Sequence, residues 1–327
     1  MEKRTLGRTG LQISRVAMGG GQFWVNPPVE QVRGAVCKAF ELGMNFIDTS
    51  ADYGPSEELL GQVLPEVTAP FYISTKLGDR PQPFDPKDKA GLRWSIEESL
   101  RLLKRDSVDI LMIHEPERPL QFDWWTDSER FYGPVTEALA EFKAEGLCRF
   151  TGLGGTCCHE MARIVDTGEY DVVLTAFNYS LLWREAAWEV FPTAKKHNCG
   201  LISGSPLQQG GLIKRFDDEV NHGAPWMSLP RRLQYQALYA YLDEIEMPIV
   251  ECAMRFVWSN DDIDTILTGG RTAAEVEENV RAVEKGPLPA EVLARLKEIY
   301  EMCPFRPFEE PMGMPFGREY KGPTRAH

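Results

Sequence analysis

The chain alternates between short apolar runs and longer stretches with the periodicity of amphipathic helices. The short runs are Val16–Ala17–Met18, Phe46–Ile47, Phe71 to Thr75, Val108 to Ile113, Phe150–Thr151–Gly152, Val172 to Ala176, Leu201–Ile202–Ser203 and Thr265–Ile266–Leu267. Between them lie predicted helices such as Val29–Leu42, Leu92–Leu103, Val135–Glu145 and Met254–Ser259. Strands that alternate with helices form a parallel sheet. Eight such units over about 280 residues have the length and rhythm of a closed (β/α)8 TIM barrel, an α/β fold. Ahead of them, Arg4–Thr5–Leu6, Gly7–Arg8–Thr9–Gly10 and Leu11–Gln12–Ile13 read as an N-terminal β-hairpin within residues 1–14. The competing architecture is a doubly wound open sheet, whose dinucleotide fingerprint G-x-G-x-x-G follows the first strand. Gly19–Gly20–Gly21 has a different spacing and reads as a turn. No linker or charge block divides the chain, so residues 1–327 read as one domain with a tail at 303–327.

Two segments exceed the short connections usual in compact domains. Glu115 to Gly133 carries Phe122, Trp124, Trp125, Phe131 and Tyr132, and the tail carries Phe305, Phe308, Met312, Met314, Phe316 and Tyr320. Long aromatic loops at the catalytic end of a barrel form the substrate pocket or pack onto the wall. Trp24, Trp124 and Trp125 suit the apolar face of a sugar ring, and equally a hydrophobic aldehyde.

Composition narrows the partners. The 327 residues are 43% hydrophobic and 26% charged, ample for a large packed core. A net charge of -13 argues against nucleic acid or an anionic membrane surface. No run approaches the roughly 18 apolar residues of a spanning helix, and Met1–Glu2–Lys3–Arg4 does not open a secretory signal. The seven cysteines are scattered, with no C-x-x-C spacing. That argues against zinc and a disulfide framework and predicts a cytoplasmic setting.

Four polar residues give the chain its candidate chemistry. Asp48, Lys76 and His114 follow three consecutive predicted strands, and Tyr53 lies in the loop after Asp48. The C-terminal ends of barrel strands are where such folds place their active sites. Reducing a carbonyl needs hydride at carbon and a proton at oxygen. A tyrosine, with a reference pKa of about 10, becomes a useful acid beside an ammonium. Asp48 would keep Lys76 charged, and His114 would orient the substrate oxygen. Singly, each residue has a structural explanation: a strand-end cap, a solvated lysine, a hydrogen-bonded histidine.

The run Asp48–Thr49–Ser50–Ala51–Asp52–Tyr53–Gly54–Pro55–Ser56–Glu57, with Leu60–Gly61 following, resembles the signature D-T-[SA]-x-x-Y-G-x-S-E-x-x-[LI]-G of the aldo-keto reductases. The resemblance implies a barrel whose base is plugged by the hairpin and a nicotinamide cofactor bound without a Rossmann motif. It also implies Tyr53 as catalytic acid/base, supported by Asp48, Lys76 and His114. It places the cofactor at Ser205 and Leu207 of a pyrophosphate loop and at Thr268–Gly269–Gly270–Arg271–Thr272, with Glu275, Glu278 and Asn279 beyond. Members that prefer NADPH carry a lysine where this chain has Gly269 and an arginine where it has Glu275. NAD is therefore favoured over NADP, with Arg271 as the counter-argument.

Two nicotinamide contacts depart from the family pattern. Gly152–Leu153–Gly154–Gly155–Thr156 replaces Gly-x-Ser-Asn, and Ser203–Gly204–Ser205–Pro206–Leu207 lacks the usual stacking aromatic. Thr156, Asn178 and Gln208 are the candidate substitutes. Phe177 to Leu182 is similar to the branch of NAD-dependent sugar 1-dehydrogenases. The expected activity is hydride transfer between NAD(P)(H) and a small carbonyl or alcohol, a sugar or polyol. The alternative is a non-catalytic nicotinamide-binding regulatory subunit.

Overall fold

The structure, a computed structural model, describes residues 1–306, 310 and 314–317. Phe308, Met312 and Tyr320 of the predicted aromatic tail lie outside the described residues. A two-stranded antiparallel hairpin, β1 (Lys3–Thr5) and β2 (Gln12–Ser14), precedes eight parallel strands. These are β3 (Val16–Gly19), β4 (Phe46–Asp48), β5 (Tyr72–Leu77), β6 (Val108–His114), β7 (Cys148–Gly155), β8 (Val172–Ala176), β9 (Gly200–Gly204) and β10 (Thr265–Thr268). Each pairs with the next, and β10 closes on β3 with Ile266, Leu267 and Thr268 opposite Val16, Ala17 and Met18. Closure excludes the open sheet, and all eight predicted strands are present. The four predicted helices are also found, at Val29–Glu41, Lys89–Leu103, Pro134–Ala144 and Ile249–Trp258.

Strand alternation sets what fills the barrel. Leu6, Leu11 and Ile13 of the hairpin join Ala17, Phe46, Ile110, Met112, Val172, Leu174, Ile202 and Leu267 in one buried apolar cluster. The hairpin thus plugs the end at which the strands begin. Its turn needs a glycine: Gly7 has φ +43°, and a Cβ there would stand 2.3 Å from the Gly200 nitrogen. Because side chains alternate along a strand, the inward set continues upward. Phe46 is followed by Asp48, Tyr72 by Ser74 and Lys76, and Ile110 and Met112 by His114. Apolar residues line the lower barrel and ionisable ones its upper rim.

Residues 205–228 form a third long connection, between β9 and the helix Leu229–Glu244, that the hydrophobic pattern does not single out. The described tail residues pack on it. Phe316 stacks on Phe216 with centroids 4.2 Å apart and meets Trp226 edge-on, while the Tyr235 hydroxyl donates to Met314 Sδ at 2.7 Å. Glu310 forms a fully buried ion pair with Arg231 at 3.0 Å. Among the described residues no helix is long and apolar enough to cross a membrane.

Candidate active site

Asp48 and His114 are the last residues of β4 and β6, and Lys76 is the penultimate residue of β5, so all three sit inside the strand ends rather than beyond them. The Lys76 ammonium donates to Asp48 Oδ2 at 2.6 Å and to the Thr49 carbonyl at 2.8 Å. Ser74, two residues before Lys76 and on the same strand face, donates to Asp48 Oδ1 at 2.7 Å. Asp48, Lys76 and His114 are buried, whereas Tyr53 keeps part of its surface accessible. The Lys76 nitrogen lies 4.8 Å from the centre of the Tyr53 ring. The His114 ring stands edge-on to Tyr53, centroids 5.7 Å apart. The four residues that the sequence singled out therefore share one rim.

Electrostatics refine the expected chemistry. Burial opposes the Lys76 charge, but Asp48 and Tyr53 outweigh it and the ammonium is held above its ordinary range. For Tyr53, burial pushes the phenol up more strongly than Lys76 draws it down, and Asp48 and Glu115 add to the rise. The ammonium acts in the expected direction without winning. The phenol keeps its proton at neutral pH.

Glycines keep this rim open. A Cβ on Gly21 would touch the Tyr53 ring at 3.7 Å, and one on Gly154 would press on Lys76 Cε at 3.1 Å. Trp24 is 53% exposed beside the Tyr53 loop, and Trp125 is half-buried with its N–H on the Pro116 carbonyl. Trp124 is fully buried among Phe84 and Phe122, and its indole N–H donates to the His114 carbonyl at 2.9 Å. Of its two sequence readings, wall packing describes it: it braces His114 and offers no surface to a sugar.

The proposed cofactor residues divide by place. Ser205, Gln208 and Gln209 all adopt left-handed backbone angles, a concentration of strain typical of functional loops. Two buried oxygens on β9 and this loop, Ser203 Oγ and Gln208 Oε1, have no hydrogen-bond partner among the described residues. Of the three candidate substitutes for the carboxamide contact, Thr156 is engaged by Glu115 and Arg118, and Asn178 donates to the Thr156 carbonyl and Thr175. Gln208 retains an acceptor, the chemistry a carboxamide N–H requires.

At the last strand end, Gly270 packs where a Cβ would stand 2.5 Å from Val276 Cγ2. Gln22 and Gln31 reach across to the Gly270 and Arg271 carbonyls, tying the first loop to the last. Thr272 caps the helix Ala273–Glu284 by accepting from the Glu275 N–H. Glu275 accepts from the Arg271 backbone N–H at 2.8 Å and pairs with its guanidinium at 3.3 Å. Asn279 is buried and donates to Thr268, while Glu278 is exposed.

Sequence reasoning missed a second acidic group behind the rim. Glu117 accepts from the Thr156 and Cys157 N–H groups at 2.5 and 2.7 Å, and Glu115 accepts from Arg118 and Thr156. It also missed Glu57, which is buried and holds Arg80 and the Thr75 hydroxyl. The signal for Glu57 lay inside the signature itself.

The sequence profile of the Aldo/keto reductase family matches residues 15–301. The chain belongs to that family. It is an aldo-keto reductase, an NAD(P)-dependent oxidoreductase of a family that typically acts on small carbonyl compounds. L-galactose dehydrogenase of Arabidopsis thaliana is 31% identical over 315 residues, spanning 92% of this chain and 95% of that protein. D-threo-aldose 1-dehydrogenase of a Pseudomonas species is 27% identical over 292 residues, 80% of this chain and 85% of that one. An aldo-keto reductase from Bacillus halodurans, solved in its holo form, superposes with a TM-score of 0.75 at 23% identity, over 93% of this chain and 98% of that one, a likeness of fold.

Proposed function

We infer that this aldo-keto reductase moves hydride between NAD(H) and a small sugar or polyol, with Tyr53 as its proton-transferring group. The observation that carries the reading is the buried Asp48–Lys76 pair with the Tyr53 ring centred 4.8 Å from the ammonium. When bound, the nicotinamide supplies or accepts the hydride. Asp48 and Ser74 fix the ammonium, and the ammonium orients the phenol. In reduction, Tyr53 delivers its proton to the carbonyl oxygen and Lys76 stabilises the phenolate that remains. In oxidation the same oxygen takes the proton back from the alcohol. His114, braced by Trp124, directs the substrate oxygen toward Tyr53, and Trp24 offers an exposed ring face at the mouth.

Ser205 and Leu207, with the N–H groups of Gly270 and the start of the helix at Ala273, would hold the diphosphate and adenosine end, with Glu278 and Asn279 near the base. Glu275 supports NAD over NADP. Its carboxylate already occupies the Arg271 N–H and neutralises the Arg271 side chain. A 2′-phosphate would have to displace it against like charge, whereas an unphosphorylated ribose can donate to it. The two sugar dehydrogenases among the relatives support the substrate class.

Turnover of L-galactose with NAD, and of D-glyceraldehyde with NADH, tests the reading in wild type and Tyr53→Phe. The variant should lose about 10²–10⁴-fold in kcat while NADH binding, followed by fluorescence, is retained. A Tyr53→Phe protein with wild-type kcat ends the assignment. In the same titration NADH should bind wild type more tightly than NADPH, and the reverse order would overturn the cofactor preference.

A further inference from the structure

Between Asp48 and Tyr53 the chain folds back on itself. The Tyr53 N–H donates to the Ser50 carbonyl at 3.1 Å, and the Asp52 N–H to Ser50 Oγ at 3.1 Å. This turn brings the side chains of Ser50, at the signature's [SA] position, and Asp52, at a variable one, onto one imidazole nitrogen. Asp52 Oδ2 lies 3.6 Å from His114 Nδ1, and Ser50 Oγ lies 3.4 Å from the same atom. The Asp52 side chain is only 14% exposed. Neither residue has a place in the catalytic reading given above.

We propose that Asp52 is the positioning residue of His114, holding a proton on Nδ1 with the help of Ser50 and favouring the imidazolium, so that Nε2 stays a donor toward the substrate oxygen. The inference rests on the acid/base reading of the same rim. A carboxylate can only accept, so it favours hydrogen on the facing Nδ1; with Nδ1 protonated, Nε2 is a donor in the imidazolium, which the same negative charge stabilises. The separation exceeds a hydrogen bond, yet it lies within the range where opposite charge shifts a titration.

Among the described residues, the charged groups placed around the ring are themselves paired. On the β5 side Lys76 would repel a second cation, but Asp48 balances it at 2.6 Å. Glu115 follows His114 directly and is paired with Arg118 at 2.8 Å. Tyr53 presents its ring edge and holds its proton, and Phe122 and Trp124 are apolar neighbours. In a reduction, the Nε2 proton would hold the carbonyl oxygen while Tyr53 gives up its own. No proton leaves His114 in the net step.

The test follows the imidazole itself. In protein labelled with 15N-histidine, the His114 signal is identified among five histidines by its loss in His114→Gln. In Asp52→Asn the His114 midpoint should fall by about one pH unit or more, and the Nδ1 proton population of its neutral form should drop. The alkaline limb of the pH profile of kcat/KM for D-glyceraldehyde reduction should move down with it, NADH binding unchanged. Asp52→Glu should restore both. An unmoved His114 midpoint in Asp52→Asn overturns the proposal, even if kcat falls, because the role would then be structural. If Tyr53→Phe keeps full turnover while the midpoint shift is seen, the acid/base reading fails and the Asp52–His114 coupling stands.

Discussion

Gly154 shows how much of the site depends on a missing atom. It faces Lys76 from β7, and a methyl group there would crowd two carbons of the lysine stem at 3.1 and 3.3 Å. Lys76 cannot yield freely, because its nitrogen is held by Asp48 and by the Thr49 carbonyl. Gly154→Ala should therefore displace the ammonium and lower kcat by about tenfold or more, with a stability loss of about 1–3 kcal/mol from overpacking. Steady-state turnover and urea unfolding would check this, and wild-type kcat in the variant would refute it. At this scale the sequence was readable where chemistry is written in consecutive letters, as in Asp48 to Glu57. It was unreadable where partners lie far apart. Asp52 meets a histidine 62 positions away, and Glu117 meets amides 39 and 40 positions away. No local pattern encodes those distances.

At the scale of elements, the loop after β6 does two jobs. Its aromatics brace His114, while Glu117 accepts from the Thr156 and Cys157 N–H groups just ahead of the helix Cys158–Val165. Burial first, and Glu115 second, push the Glu117 carboxyl up to about 7. A carboxyl whose folded pKa exceeds its unfolded one stabilises the fold below the unfolded value. That contribution fades as pH rises through about 7. Unfolding free energy should therefore decline more between pH 5 and 8 in wild type than in Glu117→Gln, by up to roughly 3 kcal/mol. Identical slopes for the two proteins would refute this. The strands were legible because a barrel wall demands continuous apolar runs. The 205–228 connection was not, since its course is set by contact with tail residues about a hundred positions away and not by a period of its own.

For the molecule as a whole, the sequence left two architectures open, and pairing of β10 with β3, about 250 residues apart, decides between them. The Arg231–Glu310 pair then fastens the tail to the helix Leu229–Glu244 outside that closed wall. Burial raises the Glu310 carboxyl even against the neighbouring guanidinium, so the pair works as a fastener and adds little net stability. Breaking it is another matter: Glu310→Gln leaves a buried cation unmatched and should cost about 3–5 kcal/mol. Its urea midpoint should fall accordingly, and an unchanged midpoint would show that the tail carries no such load. The hairpin governs the opposite pole, where Met1 rests near Gly43 below β4. A protein tethered to a bead or electrode through its first residue would therefore stand with its reactive rim facing the bulk liquid.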